Sequence, residues 1–384
     1  MAMDGAGRLE LPTDVLVEIL LRLPPSSRRR VRLVCRLWRS IIDEHTTEMQ
    51  SRATALLWHT WYGIAYVVDD LSKSSTGRYT QLWPRDTAGP YFLDRGSLQL
   101  IGTCNGLLCL CDNEEAPGGA VTLVNPATDE ELPVPPLPCA CPFVPSLERC
   151  TYWENWHKAY SFAYHPTSGQ YKVVHIPCSI SEEYKFDALH VLTLGEASWR
   201  EVPAGPAEGV RCNLGAGIVS VDGTTYWVVE NAGASWVVSF DLDNEAVARV
   251  KGLPGHPAGP ENYHLTEVHG RLGIVVHGLS RTTEVWVLDK GQRKWSCRYN
   301  LTRHEVTRPY FVYGECILTL EESLIRGHYR HKGMWASNKA VPVRVSRRAH
   351  GTRLAVIDDE WCQTLPYVKT MEPLSIYMLP IDNA

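Results

Sequence analysis

Several features are scarce in this 384-residue sequence, and each shortage removes a class of protein. No run approaches the roughly 18 to 20 consecutive apolar residues that a membrane helix needs. The apolar stretch near the N-terminus carries Asp14, Glu18 and Arg22, and its basic residues follow instead of preceding it, the reverse of a secretory leader. Positive charge is not in excess: 38 Lys and Arg stand against 43 Asp and Glu, a formal net charge of −5. No global field therefore points to nucleic acid. No membrane and no nucleic-acid partner is expected, and the chain reads as a soluble protein of the cytoplasm and/or nucleus. The 12 cysteines include no C-x-x-C pair, which leaves a zinc ribbon or a dithiol redox motif without support. Cys109 with Cys111 and Cys139 with Cys141 alternate instead, so free thiols acting as small hydrophobes are expected in place of disulfides or metal. The Asn300-Leu301-Thr302 sequon carries no weight for the same reason.

Catalytic patterns are missing too. There is no G-x-S-x-G, Walker loop, H-E-x-x-H or paired-carboxylate arrangement. His328 and His331, three apart with no third ligand nearby, read as a surface loop. Asp358, Asp359 and Glu360 read as a solvated turn. No catalytic residue, metal or cofactor is expected.

What is present divides near residue 50. Residues 9–24, LELPTDVLVEILLRLP, place Leu16, Ile19, Leu20 and Leu23 at i, i+3, i+4 and i+7, one face of a helix. Val15, Val17 and Leu21 spread apolar surface well beyond that face, leaving only Asp14, Glu18 and Arg22 as a polar stripe. A helix this apolar must be covered on more than one side. A second helical pattern follows Pro24-Pro25, with Ser26 or Ser27 suited to the N-cap. Val31, Val34, Cys35, Trp38, Ile41 and Ile42 form its apolar stripe and Arg28, Arg32, Arg36 and Arg39 its opposite face. The Arg28–Arg30 run reads as solvated helix surface.

Beyond residue 50, short β-rich runs bounded by Gly, Asn, Asp or Pro take over, among them GLLCLC, YKVVHI, TTYWVV and TEVWVLD. A turn leading into an apolar strand recurs at Asn105-Gly106, Asp222-Gly223, His269-Gly270 and Tyr313-Gly314, the last three 47 and 44 residues apart. A later strand recurs in VLTLGEASW, SFDLDNEAV and VWVLDKGQRKW, with Leu192, Phe240 and Trp286 spaced by 48 and 46. A period of this length with about four strands is the signature of a β-propeller, whose blades must stack in a ring to bury both faces. A β-sandwich competes but gives no reason for the repeat. The length available leaves room for six or seven blades, and the proline-rich insertion from Leu132 to Pro145 argues for six. The stretch LSIYMLP (374–380) is the candidate final strand, completing a blade begun near residues 55–68.

Leu9 to Ile42 resembles the F-box: Leu11-Pro12, Asp14, the Leu/Ile-rich run Leu16–Leu20, Leu23-Pro24, then Val34, Arg36, Trp38 and Ser40-Ile41-Ile42. One departure is Arg28, where the family usually has Leu. The region beyond is similar to the plant F-box-associated interaction domain, through GTCNGLLCL (102–110), LVNPATDEELPVPP (123–136), YHPTSGQYKVVHI (164–176), SWREVP (198–203), VDGTTYWVV (221–229), VSFDLDNE (238–245) and GRLGIVV (270–276). The kelch double-glycine is absent from the strands, and the similarity fades past about residue 320. The expected fold class is α+β multidomain: a flexible N-terminus (1–8), a small all-α F-box (9–48) and an all-β propeller (49–384).

The resemblance implies a non-catalytic substrate-recognition subunit of a Skp–cullin–F-box ubiquitin ligase. A module of about 45 residues has little core of its own, and in the F-box family a Skp-type adaptor covers its apolar surface and links it to a cullin. Contact roles carry over to Leu11, Pro12, Leu16, Ile19, Leu20, Leu23, Pro24, Val34, Cys35 and Trp38, some of which must instead form the module's own core. The propeller would hold an unknown protein substrate. The exposed-looking aromatics Tyr152, Trp153, Trp156, Tyr263 and Trp335 are candidate anchors, each with an even core reading beside it. The competing function is a propeller binding a protein, glycan or small molecule, with its F-box controlling its own turnover.

Overall fold

The computed structural model describes residues 11–45, 53–68, 79–84, 97–116, 118–138, 153–166, 168–177, 188–231, 233–254, 263–278, 282–289, 294–302, 305–314, 316–321, 324–329, 343–345, 352–356 and 362–378. Three helices come first: α1 (Thr13–Arg22), α2 (Pro25–Val31) and α3 (Arg36–His45). The second helical pattern is thus two helices, not one. Leu33 N and Val34 N donate to the Arg30 and Val31 carbonyls, i to i−3 bonds that tighten and end α2. Cys35 then starts α3, its Sγ accepting from Trp38 N at 3.5 Å in the geometry of an N-cap. The expected serine cap is replaced as well: Pro24 holds the N-cap position and Pro25 the first turn of α2, where a missing N–H costs nothing.

Six antiparallel sheets follow. From inner to outer strand, blade I is Cys362–Tyr367, Thr54–His59, Ile64–Val68 and Tyr79–Trp83. Blade II is Leu98–Cys104, Leu107–Asp112, Ala120–Asn125 and Glu130–Pro133; blade III is Tyr160–His165, Gln170–His175, Ala188–Thr193 and Arg200–Pro203. Blade IV opens with the short pieces Arg211–Asn213 and Val219–Val221 and continues through Thr224–Asn231, Ala234–Asp241 and Ala246–Gly252. Blade V is Tyr263–Glu267, Leu272–Gly278, Thr282–Asp289 and Lys294–Thr302, its edge covered by Val343–Val345 in parallel. Blade VI is Glu305–Val306 with Val312–Tyr313, then Cys316–Glu321, Leu324–Tyr329 and Thr352–Val356.

The recurring turns all join the first and second strands of a blade. Asn105 and Gly106, Asp222 and Gly223, and His269 and Gly270 have positive φ at both positions, as a two-residue hairpin of matching twist requires. The later repeat is also structural. Trp199 and Trp295 sit at equivalent places in blades III and V, and each indole N–H donates to a carbonyl just behind the preceding blade's edge: Pro135 and Gly252, both at 2.8 Å.

Six apolar cores lie between neighbouring blades around the ring. Leu107, Leu123, Phe162 and Tyr171 fill the II–III gap, and Val174, Leu189, Trp227 and Phe240 the III–IV gap. Leu57, Val68, Leu318 and Ile325 close VI onto I. The ring is sealed by Cys362–Tyr367 pairing with Thr54–His59, not by residues 374–380. Leu374–Tyr377 is a 3-10 turn whose Leu374 and Tyr377 pack on the II–III core. Closure hides the strand edges that an open array would expose. Cys109 and Cys111 are buried free thiols pushed up by desolvation. His328 is no surface residue: it is buried on its strand, 2.8 Å from Thr319 Oγ1. His331 and Asp358–Glu360 lie outside the described residues.

Candidate functional site: an apolar helical face and two ends of a ring

Leu11 and Pro12 launch α1, with the Pro12 carbonyl accepting from Leu16 N at 3.1 Å. The helix then divides its apolar residues. Leu16 and Leu20 turn inward onto Ile41 and Ile42 of α3, with Val17, Leu23, Val31 and Trp38 packed around them. That small cluster is the module's entire core among the described residues. Leu11 (48% exposed), Val15 and Ile19 (43%) face outward, as do Leu33 (74%), Val34 and Leu37. Of the residues expected to contact an adaptor, Leu16 and Leu20 are therefore core. Leu23, Pro24 and Trp38 are half-buried, and Leu11, Pro12, Ile19, Val34 and Cys35 are exposed. Val15, Leu33 and Leu37 join the exposed group, although none of them carries an expected contact role. Leu33 and Leu37 fall off the apolar stripe of the second helical pattern, and the break between α2 and α3 is what turns them outward.

The ring has two ends. In an antiparallel meander successive hairpins fall at alternating ends, so first-to-second and third-to-fourth turns share one end. Second-to-third turns and blade-to-blade connections share the other. The first end carries Asn105-Gly106, Gly169 and the Leu194-Gly195 turn. It is tied across blades by Glu245, whose carboxylate receives Lys172 Nζ at 2.7 Å and Arg200. Lys172, itself buried, also donates to the Leu242 carbonyl. Both cations hold the Glu245 carboxyl below its usual pKa although burial opposes them.

The F-box meets this first end. Arg30 and Leu33 line a crevice of about 360 Å³ with Gly169, Leu194, Gly195, Ile376 and Tyr377. Arg28 is not solvated helix surface but 5% exposed. Arg30, two residues on, does face solvent.

The opposite end carries the exposed aromatics of the blade I hairpin, Trp61 (56% exposed) and Tyr62, with Tyr62 4.5 Å from the His59 ring. The long connection from blade II to blade III leaves at this same end. Its return, the 3-10 segment Trp153–Ala159, is fastened by His157, whose backbone N donates to Asn113 Oδ1 at 3.0 Å. Burial drives the His157 pKa down to about 3.

The candidate substrate anchors separate here. Tyr263 is not a loop residue: it is buried on the inner strand of blade V, with its hydroxyl donating to Glu230 Oε1 and accepting from Asn213 Nδ2, both at 2.9 Å. Trp156 is half-buried against the II–III core. Tyr152, Trp335 and the Trp153 side chain lie outside the described residues. Trp61 and Tyr62 went unnoticed because WHTWYG reads as one apolar strand run, and only the tight turn at Gly63 (φ 61°) lifts them outward.

A three-helix module with an incompletely covered apolar face, set on a six-bladed ring, is the architecture of an F-box protein with a propeller partner domain. The family models and the Arabidopsis relatives agree with it. The family described as "F-box associated beta propeller domain" matches residues 74–320, and the F-box domain matches residues 9–47; the chain belongs to the plant F-box proteins that carry this associated propeller. F-box protein At3g07870 of Arabidopsis thaliana is 26% identical over 349 residues, spanning 80% of this chain and 78% of its own length. The Arabidopsis F-box/kelch-repeat protein At3g23880 is 22% identical, spanning 81% and 85%. Among solved structures, a chain of the nidogen/laminin complex covers 83% of this chain and 99% of itself at a TM-score of 0.47 and 11% identity.

Proposed function

We propose that this chain is the substrate receptor of a Skp–cullin–F-box ubiquitin ligase, acting in the cytoplasm and/or nucleus. The F-box face of Leu11, Pro12, Val15, Ile19, Val34 and Leu37 takes a Skp-type adaptor, which links it to a cullin. The propeller end bearing Trp61, Tyr62 and the 133–156 connection receives the protein to be ubiquitinated. The observation that carries this reading is the polarity of the ring. The F-box crevice residues lie at one end, and the exposed aromatics Trp61 and Tyr62 and the Trp153–Ala159 segment lie at the other. An adaptor and a target can then be held at once without competing for surface. The receptor contributes proximity and no chemistry, because the transferring groups belong to other subunits of the ligase.

The test is affinity purification under proteasome inhibition, comparing the intact chain with one lacking residues 1–45 and with one whose 133–156 segment is a short Gly-Ser linker. The receptor reading expects the first variant to lose the adaptor and keep the target, and the second to do the reverse. Accumulation of the propeller protein alone, with no co-purified protein stabilised, would favour self-turnover instead.

A further inference from the structure

His264 is 4% exposed, and neither of its ring nitrogens has a hydrogen-bond partner. An imidazole buried in this way costs free energy that a leucine in its place would not. It pairs with Val275 across blade V and so faces the V–VI gap, which Val275, Val285, Val306 and Ile317 fill. Its ring stacks on that of His277 at 5.5 Å, with 26° between the planes. His277 stands near the end of its strand, Leu272–Gly278, and in the meander that strand end lies at the end of the ring bearing Trp61 and Tyr62. His277 Nε2 is 3.1 Å from Arg308 Nη2, and Nδ1 is 3.4 Å from Thr283 Oγ1. A guanidinium only donates, so Nε2 accepts and this imidazole is neutral. Arg308 belongs to blade VI, between Glu305–Val306 and Val312–Tyr313. Its carbonyl accepts from Thr364 N of the closing strand at 2.7 Å, while its side chain is exposed. Blades V, VI and I therefore meet at one cation.

We infer that Arg308, backed by His277 and His264, is a binding site for a carboxylate, and that the ring reads an acidic side chain of its target there. Only the source of the carboxylate rests on the receptor reading. His277 takes one edge of the guanidinium and fixes its direction, which lowers the cost of ordering it on binding. The rest of the fork suits the two-point bond that carboxylates make. Charge decides between anions. With His277 neutral the site offers one fixed positive charge, which matches a carboxylate, whereas a phosphate dianion calls for more. The carboxylate that acts on Arg308 within the chain is Glu305, exposed three residues earlier, and the two form no ion pair. Burial, and after it Arg308, holds His264 well below its ordinary pKa and His277 at about 4. An anion on Arg308 offsets the second of these causes, so both rings take up protons more readily once the site is filled. That coupling gives the buried His264 a part that packing alone does not.

The experiment is NMR of the full-length chain with isotopically labelled histidine, titrated with acetate and separately with inorganic phosphate. It needs neither adaptor nor target. Acetate should shift the His277 and His264 ring signals and raise the His277 pKa above about 4, and phosphate should bind no more tightly. Arg308→Met should weaken acetate binding about ten-fold or more, the worth of one hydrogen bond to a charged group. Arg308→Lys, which keeps the charge and loses the fork, should fall between the two and keeps the result readable if Arg308→Met disturbs the fold. Acetate binding of equal strength in both variants, histidine signals unmoved at saturating acetate, or tighter binding of phosphate would overturn the carboxylate site. Under proteasome inhibition, Arg308→Glu should lose the co-purified target. A target kept by that variant would overturn the assignment of the carboxylate to the target, whereas the lack of any target on the intact chain would count against the receptor reading and leave the acetate result standing.

Discussion

The F-box and the propeller bury their apolar residues in opposite proportions. In the ring, each blade is sealed by its neighbours through six inter-blade cores, and Trp58, Trp227, Phe240 and Phe311 are fully enclosed. In the F-box, among the described residues, four apolar side chains are buried, while Leu11, Val15, Ile19, Leu33, Val34 and Leu37 stay open. The ring satisfies itself because closure gives every blade two partners. Three short helices cannot enclose that much apolar surface, and large exposed apolar side chains in such number are a feature of interaction sites. The contrast separates a part that encloses its own apolar residues from a part that leaves many of its own open.

The sharpest way to break that contrast is to attack the ring where it closes. Removing residues 362–384 takes away the inner strand of blade I and should abolish cooperative unfolding of all the β structure in calorimetry. Trp58→Ala should cost about 3 to 5 kcal/mol. Removing residues 1–45 should shift the melting midpoint by only a few degrees. The F-box should fail in the reverse sense. Leu11→Asp with Ile19→Asp should weaken adaptor binding at least 100-fold by titration while the thermal midpoint stays nearly unchanged, because neither residue is in the core.

Buried histidines belong to the ring, so acid should act there. Burial lowers His175 to about 3 and His264 well below its usual value. Their folded pKa values lie below the unfolded value of about 6.5. Between pH 6.5 and about 3 the unfolded chain binds more protons, so stability is full above 6.5 and falls as pH drops through that window. One unit below 6.5 each such histidine removes about 1.4 kcal/mol. Denaturant midpoints at pH 7.5 and 5.5 measure this, and His175→Asn should remove one histidine's share of the difference. The smallest effect is expected at the blade III–IV tie. Lys172→Met leaves Arg200 to hold Glu245 and should cost about 1 to 2 kcal/mol in chemical denaturation.

Much of this was legible in the residues. Asn105-Gly106, Asp222-Gly223 and His269-Gly270 announce hairpins because few other pairs tolerate positive φ twice, and their spacing gives the blades. The closing strand was harder. LSIYMLP is the more apolar candidate, but the strand that pairs with Thr54–His59 is CQTLPY, whose Thr364 donates to carbonyls of the 308–310 segment near the ring centre. Inner strands carry such polar residues, so apolar content points to the wrong segment. Tyr263 misled for the converse reason: a tyrosine beside loop residues reads as exposed until its hydroxyl is seen paired with Glu230 and Asn213 inside the ring.

By itself the sequence determined the F-box pattern, the blade period and the recurring first-to-second hairpins at Asn105-Gly106, Asp222-Gly223 and His269-Gly270, since these follow from local sterics and from hydrophobic spacing within a few residues. Only the tertiary structure decided which strand closes the ring, which aromatics face solvent and where Arg28 goes. The first two depend on groups far apart in the chain: Thr54 against Tyr367, and Tyr263 against Glu230. Burial and hydrogen bonding at such separations exist only once the ring has formed. Arg28 reads as solvated surface yet is only 5% exposed, because burial is set by how whole elements pack and not by the residues beside it in the chain.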